Sequence, residues 1–199
     1  MTDDRYNELK KIKDEVVGLK KSPLYEYRRE NGYHCVIGEG NHFAKLVFVG
    51  EAPGENEAKQ GRPFCGAAGR VLDELLTSIS IDRKDVYITN IVKDRPPDNR
   101  DPETQEIELY SPFLDRQLNI IKPKIIATLG RFSMNYIMEK FDLFFEIEPI
   151  SKIHGKVFKT KVGWGEVNIV PLLHPAVALY RAPKKIELIN DFKVLKKLL

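Results

Sequence analysis

The sequence has few of the residues that build disulfide frameworks, metal clusters or membrane spans. Its 199 residues include only two cysteines, Cys35 and Cys65, with no CxxC pair and no His/Cys cluster at metal-ligand spacing. This excludes a small disulfide scaffold and favours two reduced thiols in a cytosolic protein. No apolar run approaches the length of a membrane span, and the polar start at residues 1–5 does not resemble a signal peptide.

Charge is unevenly distributed along a chain of otherwise ordinary composition. Hydrophobic residues make up 42% and charged residues 31%, as in a globular protein, and the length suits a single domain over residues 1–199. Residues 1–115 hold 17 basic and 22 acidic side chains, whereas residues 116–199 hold 15 and 7. This split predicts a basic face for a polyanion. A solvated lysine-rich surface is the simpler alternative.

Short apolar runs rich in β-branched residues alternate with helical patterns. We predict strands at 45–49, 86–89, 125–129 and 167–173, and helices at 3–20, 66–78, 102–121, 131–140 and 184–199. Asp101 is the expected N-cap of the third helix, and 22–41 is expected to be irregular. The segment 152–165 suits a loop or small hairpin. The alternation predicts an α/β fold: three α/β/α layers around a central four-stranded parallel sheet, with a core over about 22–199.

The segment from Gly50 to Gly66 carries the strongest indication of a ligand site. An apolar run enters the turn Gly50-Glu51-Ala52-Pro53-Gly54, and Glu57 and the sequence Gly61-Arg62-Pro63-Phe64-Cys65-Gly66 follow. A strand that ends in a Gly/Pro turn exposes backbone N–H groups at the carboxyl edge of a sheet, where open α/β folds bind ligands.

Residues suited to binding a planar heterocycle follow successive predicted strands. Glu51 and Phe64 follow the first, Asn90 ends the second, and His174 ends the fourth. Because parallel strands end at one edge, we expect these four side chains to share a pocket. Taken singly, Phe64 would be ordinary core, Asn90 a turn cap and His174 a strand end. Their placement at successive strand ends favours a site for a stacked, hydrogen-bonded base.

Four ordered blocks resemble the uracil-DNA glycosylase superfamily. They are GEAPG, PFCGAAG, TNIVK with its following RPP and NRDP, and LLHPA, and they are most similar to the archaeal and bacterial family 4 pattern. The resemblance runs from about residue 22 to 197. It implies removal of uracil from DNA by hydrolysis of the N-glycosidic bond, at the start of base-excision repair, in the prokaryotic cytosol or nucleoid.

The resemblance also implies a role for each matching residue. Phe64 would stack on the flipped uracil and Asn90 would bind its Watson–Crick edge, while His174 would approach O2. Glu51 would face the sugar and the attacking water, and Glu57 would shape the wall that rejects a thymine methyl. Three glycines, Gly50, Gly54 and Gly66, would offer backbone N–H groups to phosphate or base. The sequence Leu179-Tyr180-Arg181 resembles the wedge loop that enters the base stack, and the DNA-binding residues would be Ala176, Leu179, Tyr180, Arg181 and Lys184.

Two departures from the family pattern bear on cofactor and chemistry. Family 4 carries a four-cysteine iron–sulfur cluster, but its ligand positions fall here at Leu19, Ser22, Asp94 and about Tyr110. None of these supplies a thiolate, so we expect no cofactor and no metal, with the first helix, Tyr25, Tyr110 and an Asp94 ion pair in the structural role. Ala52 stands where other branches place a carboxylate. The attacking water would then be activated by Glu51 or by Asn90, or the reaction would be dissociative and need little help from a base.

Other functions remain open at this level. A non-catalytic DNA-binding adaptor could keep the same fold, and a glycosylase could act on hypoxanthine or mismatched thymine. The expected partner is uracil-containing DNA, double- or single-stranded, with repair proteins or a sliding clamp as further partners. We expect a monomer that does not bind membranes.

Overall fold

The computed structural model describes residues 4–199, so Asp3, the first residue of the predicted helix 3–20, lies outside the described residues. The helices are α1 Arg5–Val17, α2 Leu24–Glu30, α3 Glu55–Gln60, α4 Ala67–Ser78, α5 Thr104–Ile121, α6 Arg131–Lys140, α7 Ile150–Ile153, α8 Val177–Tyr180 and α9 Ala182–Leu198. The strands are β1 Glu39–Gly40, β2 Leu46–Gly50, β3 Tyr87–Asn90, β4 Ile125–Leu129, β5 Phe158–Val162 and β6 Gly165–Leu172. Short 3-10 turns lie at Arg83–Asp85, Pro97–Asn99 and Phe144–Glu146.

The predicted parallel centre of the sheet is confirmed, and each edge carries an added strand. The order is β1-β3-β2-β4-β6-β5. The four predicted strands pair in parallel, while β1 and β5 pair antiparallel at the edges. The β5–β6 hairpin fills the segment expected to be a loop or hairpin. The two-residue strand β1 is too short to give an alternation pattern in the sequence.

Helices cover both faces of the sheet, as the three-layer prediction requires. Helices α4 and α9 pack on one face, against the side chains of Leu46, Phe48 and Ala127. Helices α5 and α6 pack on the other face, against Val47 and Ile126. The first helix lies outside α5 and forms a third apolar cluster with it and with α2. All residues of β2, β3 and β4 are buried, as expected of a parallel sheet covered on both sides.

Two local predictions were wrong. The segment predicted as irregular contains α2, a helix too short to show a full amphipathic period. Asp101 is not the N-cap of α5. Glu103 has that position, and its side chain and that of Glu106 form a reciprocal capping box. Asp101 is therefore available for a different contact, described below.

No helix within residues 4–199 is both long and apolar enough to cross a membrane.

Candidate active site

The carboxyl ends of the parallel strands meet at one edge of the sheet and frame a cavity of about 430 Å³. Gly50 and Asn90 are direct neighbours in the β2–β3 register, and Leu129 and Leu172 are neighbours between β4 and β6. The cavity is lined by Glu51, Ala52, Gly54, Glu57, Phe64, Ala68, Asn90, Asn99, His174 and Ala176. The structure thus brings together the four side chains whose convergence the sequence predicted.

Phe64 forms one wall of this cavity through an unusual backbone conformation. Its φ of 47° lies in the left-handed region, which bulky residues rarely adopt. Gly69 permits the close approach of this segment, because a Cβ there would lie 1.8 Å from the Phe64 carbonyl oxygen. The Phe64 and His174 ring centroids are 5.6 Å apart with their planes 32° from parallel. Strain of this kind accumulates at functional sites, and here it holds an aromatic ring against the cavity.

Glu57 holds the Phe64 loop in place. Its Oε1 accepts the backbone N–H groups of Cys65 at 2.9 Å and Gly66 at 2.8 Å. The Gly66 N–H, expected to be available to base or phosphate, is therefore already engaged by the protein. Glu57 itself belongs to α3, a six-residue helix that is absent from the predicted helices. Gly54 is the N-cap of α3 and lines the cavity beside the Glu57 carboxylate.

Asn90 lines the cavity and carries a buried acceptor that has no partner within the described residues. The residue is 1% exposed, and its Oδ1 has no hydrogen-bond partner within the described residues 4–199. Buried polar atoms are nearly always paired, so an orphan that borders a cavity indicates a missing ligand donor. Gly50 leaves the space that this amide and the Phe64 ring occupy, since a Cβ there would fall 2.3 Å from Oδ1 and 2.8 Å from the ring. The site is therefore built to accept a hydrogen bond beside an aromatic face.

His174 is held as a neutral imidazole with a defined tautomer. Its Nδ1 accepts the backbone N–H of Ala176 at 3.2 Å, so the ring proton must reside on Nε2. Burial lowers the pKa of His174 to about 4, with a smaller opposing effect from the Glu57 carboxylate. The ring thus acts as a neutral donor near pH 7. Ala176, predicted to contact DNA, lines the cavity and orients His174.

Glu51 lies at the mouth of the cavity in an environment that favours its neutral form. Burial raises the pKa of Glu51 to about 7, the Asp101 carboxylate adds to the rise, and the Arg131 guanidinium opposes it. Arg131 forms an ion pair with Asp101. Sequence reasoning placed Arg131 after a strand end but assigned Asp101 to helix capping, and it missed the pairing because the two residues are far apart in sequence.

Asn99 also lines the cavity, although the sequence did not single it out. It lies on the 3-10 turn Pro97–Asn99 with a φ of 53°, and its Oδ1 accepts Arg95 Nε at 2.8 Å. The sequence did contain Asn99 within the NRDP block. Whether its side chain faces the cavity depends on the geometry of the turn, which the sequence alone does not give.

The predicted wedge lies directly after His174. Leu179 and Tyr180, at the end of α8, are 46% and 85% exposed, and Arg181 is also exposed. Large apolar side chains exposed beside a ligand cavity suit insertion into a stack of bases. Lys184 is less available, since its Nζ donates to Glu187 Oε2 at 2.6 Å.

Comparison with known proteins identifies the family of this chain. The model of the uracil DNA glycosylase superfamily matches residues 37–194, which span the cavity and most of the sheet. The chain belongs to this superfamily. The type-4 uracil-DNA glycosylase of Sulfurisphaera tokodaii is 48% identical over 191 residues, covering 96% of this chain and 84% of that protein. The same-named proteins of Archaeoglobus fulgidus and Thermotoga maritima are 44% and 41% identical, covering 90% and 75% of this chain and 87% and 73% of theirs.

Of the four positions at which the resemblance implied iron ligands, three belong to a hydrogen-bonded network and one is apolar. Ser22 Oγ and the Tyr110 hydroxyl are 2.8 Å apart, and that hydroxyl donates to Asp94 Oδ2 at 2.6 Å. Arg28 Nη1 donates to both Asp94 oxygens at 3.0 and 2.9 Å. Leu19 packs in the apolar cluster that contains Tyr110.

This donor set does not fit an iron–sulfur cluster, which takes thiolates from four cysteines. Cys35 is buried in the apolar cluster that also contains Leu19 and Tyr110, and its burial there raises the pKa of its thiol to about 11. Cys65 lies in the Phe64 loop. Within residues 4–199, no group of three or more Cys, His, Asp or Glu side chains is arranged to hold a metal ion.

Proposed function

We propose that this protein is a monofunctional DNA glycosylase that hydrolyses the N-glycosidic bond of a flipped deoxyuridine. The observation that carries the proposal is the orphan Oδ1 of Asn90, which borders a cavity walled by Phe64 and His174. The N3–H of uracil would satisfy this acceptor, while cytosine has no proton at N3. Relatives named type-4 uracil-DNA glycosylases, similar over most of the chain, support the assignment.

The site supports the chemistry of bond cleavage as well as recognition. As the C1′–N1 bond breaks, its electron pair passes to the base, and negative charge builds at O2. The neutral His174 Nε2–H donates to O2, and one such placed donor is worth about 3 kcal/mol of barrier. Water then adds to the cationic sugar carbon, and its proton passes to the Glu51 carboxylate. Phe64 keeps the base stacked throughout.

Binding of DNA would place the wedge residues Leu179 and Tyr180 in the gap left by the flipped nucleotide, with Arg181 on a phosphate. We further propose that the protein acts as a monomer in the prokaryotic cytosol and works without a metal cofactor. Cys35 and Cys65, both unpaired thiols, support a reducing compartment.

A strand-cleavage assay tests the function. Labelled oligonucleotides would carry uracil opposite adenine, uracil opposite guanine, single-stranded uracil, hypoxanthine, or thymine opposite guanine, and alkali would cut at abasic sites. We expect cleavage of the uracil strands. Cleavage confined to hypoxanthine or thymine strands would indicate altered base scope. Duplex binding without cleavage of any strand would support a non-catalytic adaptor instead.

A further inference from the structure

Directly behind Asn90 lies a buried lysine that the catalytic scheme above does not use. Lys93 follows β3 by three residues and is 0% exposed. Its Nζ donates to the Asn90 backbone oxygen at 2.6 Å, to Gln117 Oε1 at 2.6 Å and to Thr89 Oγ1 at 2.9 Å. Within residues 4–199 it forms no ion pair with a carboxylate, so its charge is uncompensated.

The hydrogen-bond directions favour a protonated amine. The Thr89 hydroxyl donates to the Ile37 carbonyl at 2.6 Å, so it can only accept from Lys93. The Gln117 Nε2 donates to the same carbonyl at 2.9 Å and lies 3.1 Å from the Tyr87 hydroxyl, which leaves Oε1 facing Lys93. With the Asn90 oxygen, Nζ thus faces three acceptors. An ammonium has three protons for them, whereas a neutral amine has two and would leave one buried acceptor unpaired.

Burial lowers the pKa of Lys93 to about 7, and the nearby Cys35 opposes this change. The other ionisable groups around it are the Tyr87 phenol, reached through Gln117, and the adjacent Asp94, which is already paired with Arg28. Natural proteins rarely bury an unpaired ammonium, because desolvation is costly. A charge kept at such cost, against the peptide that carries a pocket-lining residue, indicates a function.

We propose that Lys93 is a positioning residue that acts through Asn90: its positive charge, held behind the base pocket, stabilises the negative charge that develops on the departing uracil. His174 is neutral and Glu51 is acidic, so neither supplies a cation to this wall of the pocket. The interior excludes water, and the charge is already in place before the bond breaks. It can therefore stabilise the leaving base without the reorientation of solvent dipoles that the same stabilisation would need in water. One of the three hydrogen bonds, from Nζ to the Asn90 backbone oxygen, also holds the residue whose side chain lines the pocket.

The inference rests on the proposed uracil excision, and single-turnover kinetics on a uracil duplex would test both. Lys93→Met keeps the length of the side chain and removes its charge. We expect its cleavage rate to fall by about tenfold to a hundredfold, with DNA affinity unchanged within about twofold because Lys93 is buried away from phosphates. The same substitution at Lys161, exposed on β5, should leave both values unchanged.

A second variant, Gln117→Glu, tests the effect of the Lys93 charge separately from any effect on protein stability. This change is nearly isosteric and places a carboxylate where Oε1 now accepts from Lys93, so it neutralises the field; it also removes the Nε2–H that donates to the Ile37 carbonyl, so the melting temperature is measured together with the rate. An electrostatic role predicts a slower rate in this variant too, at a melting temperature that keeps it folded in the assay. A Gln117→Glu rate equal to that of the wild type would overturn the proposal.

A better leaving group gives the sharpest test. Fluorine at C5 acidifies the base, so 5-fluorouracil needs less help to leave as an anion. The deficit of Lys93→Met should shrink on a 5-fluorouracil strand relative to a uracil strand. An equal deficit on both substrates, a parallel loss of DNA affinity, or an unchanged rate would contradict the proposal. Inactivity of the wild-type protein on every uracil strand would instead refute the proposed function.

Discussion

The Nδ1 atom of His174 accepts the backbone N–H of Ala176 at 3.2 Å, and this contact decides how the imidazole can act. Because a backbone amide can only donate, Nδ1 carries a lone pair and Nε2 carries the proton. The ring can therefore give a hydrogen bond to a leaving base without being charged. This arrangement leads to the first prediction.

His174→Ala should slow single-turnover excision of uracil by about a hundredfold, as expected when one preorganised donor to a developing anion is lost. Since burial lowers the pKa of His174 to about 4, the wild-type rate should show no ionisation of this ring between pH 6 and pH 7. A variant rate within about threefold of the wild type would contradict the role, as would an ionisation in that range that His174→Ala abolishes.

Glu51→Gln should remove the acid limb of the pH–rate profile, which is the fall in excision rate as the pH decreases. Burial raises the pKa of Glu51 to about 7, and the carboxylate must be ionised to accept a proton from water. The wild-type rate should therefore fall as the pH drops below about 7, whereas the glutamine variant should be slow and insensitive to pH over this range. Glu55→Gln, at an exposed position on α3, is the control and should keep the wild-type profile. If the rate of Glu51→Gln still falls as the pH drops below about 7, a group other than Glu51 is responsible for that pH dependence.

The two members of the Arg131–Asp101 ion pair should shift this pH dependence in opposite directions. The Arg131 guanidinium lowers the pKa of Glu51 and the Asp101 carboxylate raises it. Arg131→Met should thus move the acid limb to higher pH, and Asp101→Asn should move it to lower pH, each measured from the rate between pH 5 and pH 9. If the acid limb moves in the same direction in both variants, the ion pair affects Glu51 through packing rather than through its charges.

The hydrogen-bonded network of Ser22, Arg28, Asp94 and Tyr110 should stabilise the fold without metal. Asp94→Asn breaks a buried ion pair with Arg28, a change that costs about 3 kcal/mol. A loss of this size lowers the melting temperature by roughly 6 °C or more for a chain of this length. Asp98→Asn, exposed in a left-handed turn that asparagine tolerates, is the matched control and should melt with the wild type.

Metal analysis of the same protein completes this test. The purified protein should contain no iron, and its melting temperature and excision rate should not respond to a chelator. A brown, iron-loaded preparation with a visible charge-transfer band would contradict the network's role, as would equal melting temperatures for Asp94→Asn and Asp98→Asn.

How much of the molecule could be predicted from its sequence depended on the length and periodicity of each element. Strand β4 matched its predicted bounds, since five consecutive apolar or β-branched residues flanked by turn signals are distinctive. The short helix α2 and the two-residue β1 were missed because neither spans a full period of any pattern. Convergence of Asn90 and His174 could be predicted because parallel strands end at one edge.

Contacts between distant residues could not be predicted in the same way. The Arg28–Asp94 pair, the Arg131–Asp101 pair and the bonds of Lys93 depend on side-chain directions after packing. Asp101 shows the difficulty. As a residue before a proline at a helix start it suited a cap, yet Glu103 with Glu106 gave the backbone a better one.

The most direct measurement is the release of free uracil, detected by mass spectrometry, from a uracil-containing duplex in a single turnover. We predict release by the wild-type protein, and a rate at least about a hundredfold lower in Asn90→Ala, because the orphan acceptor that reads N3–H is lost. Asn168→Ala, on β6 below the cavity, should match the wild type. Release at the same rate by Asn90→Ala, or no release by the wild type, would contradict the account.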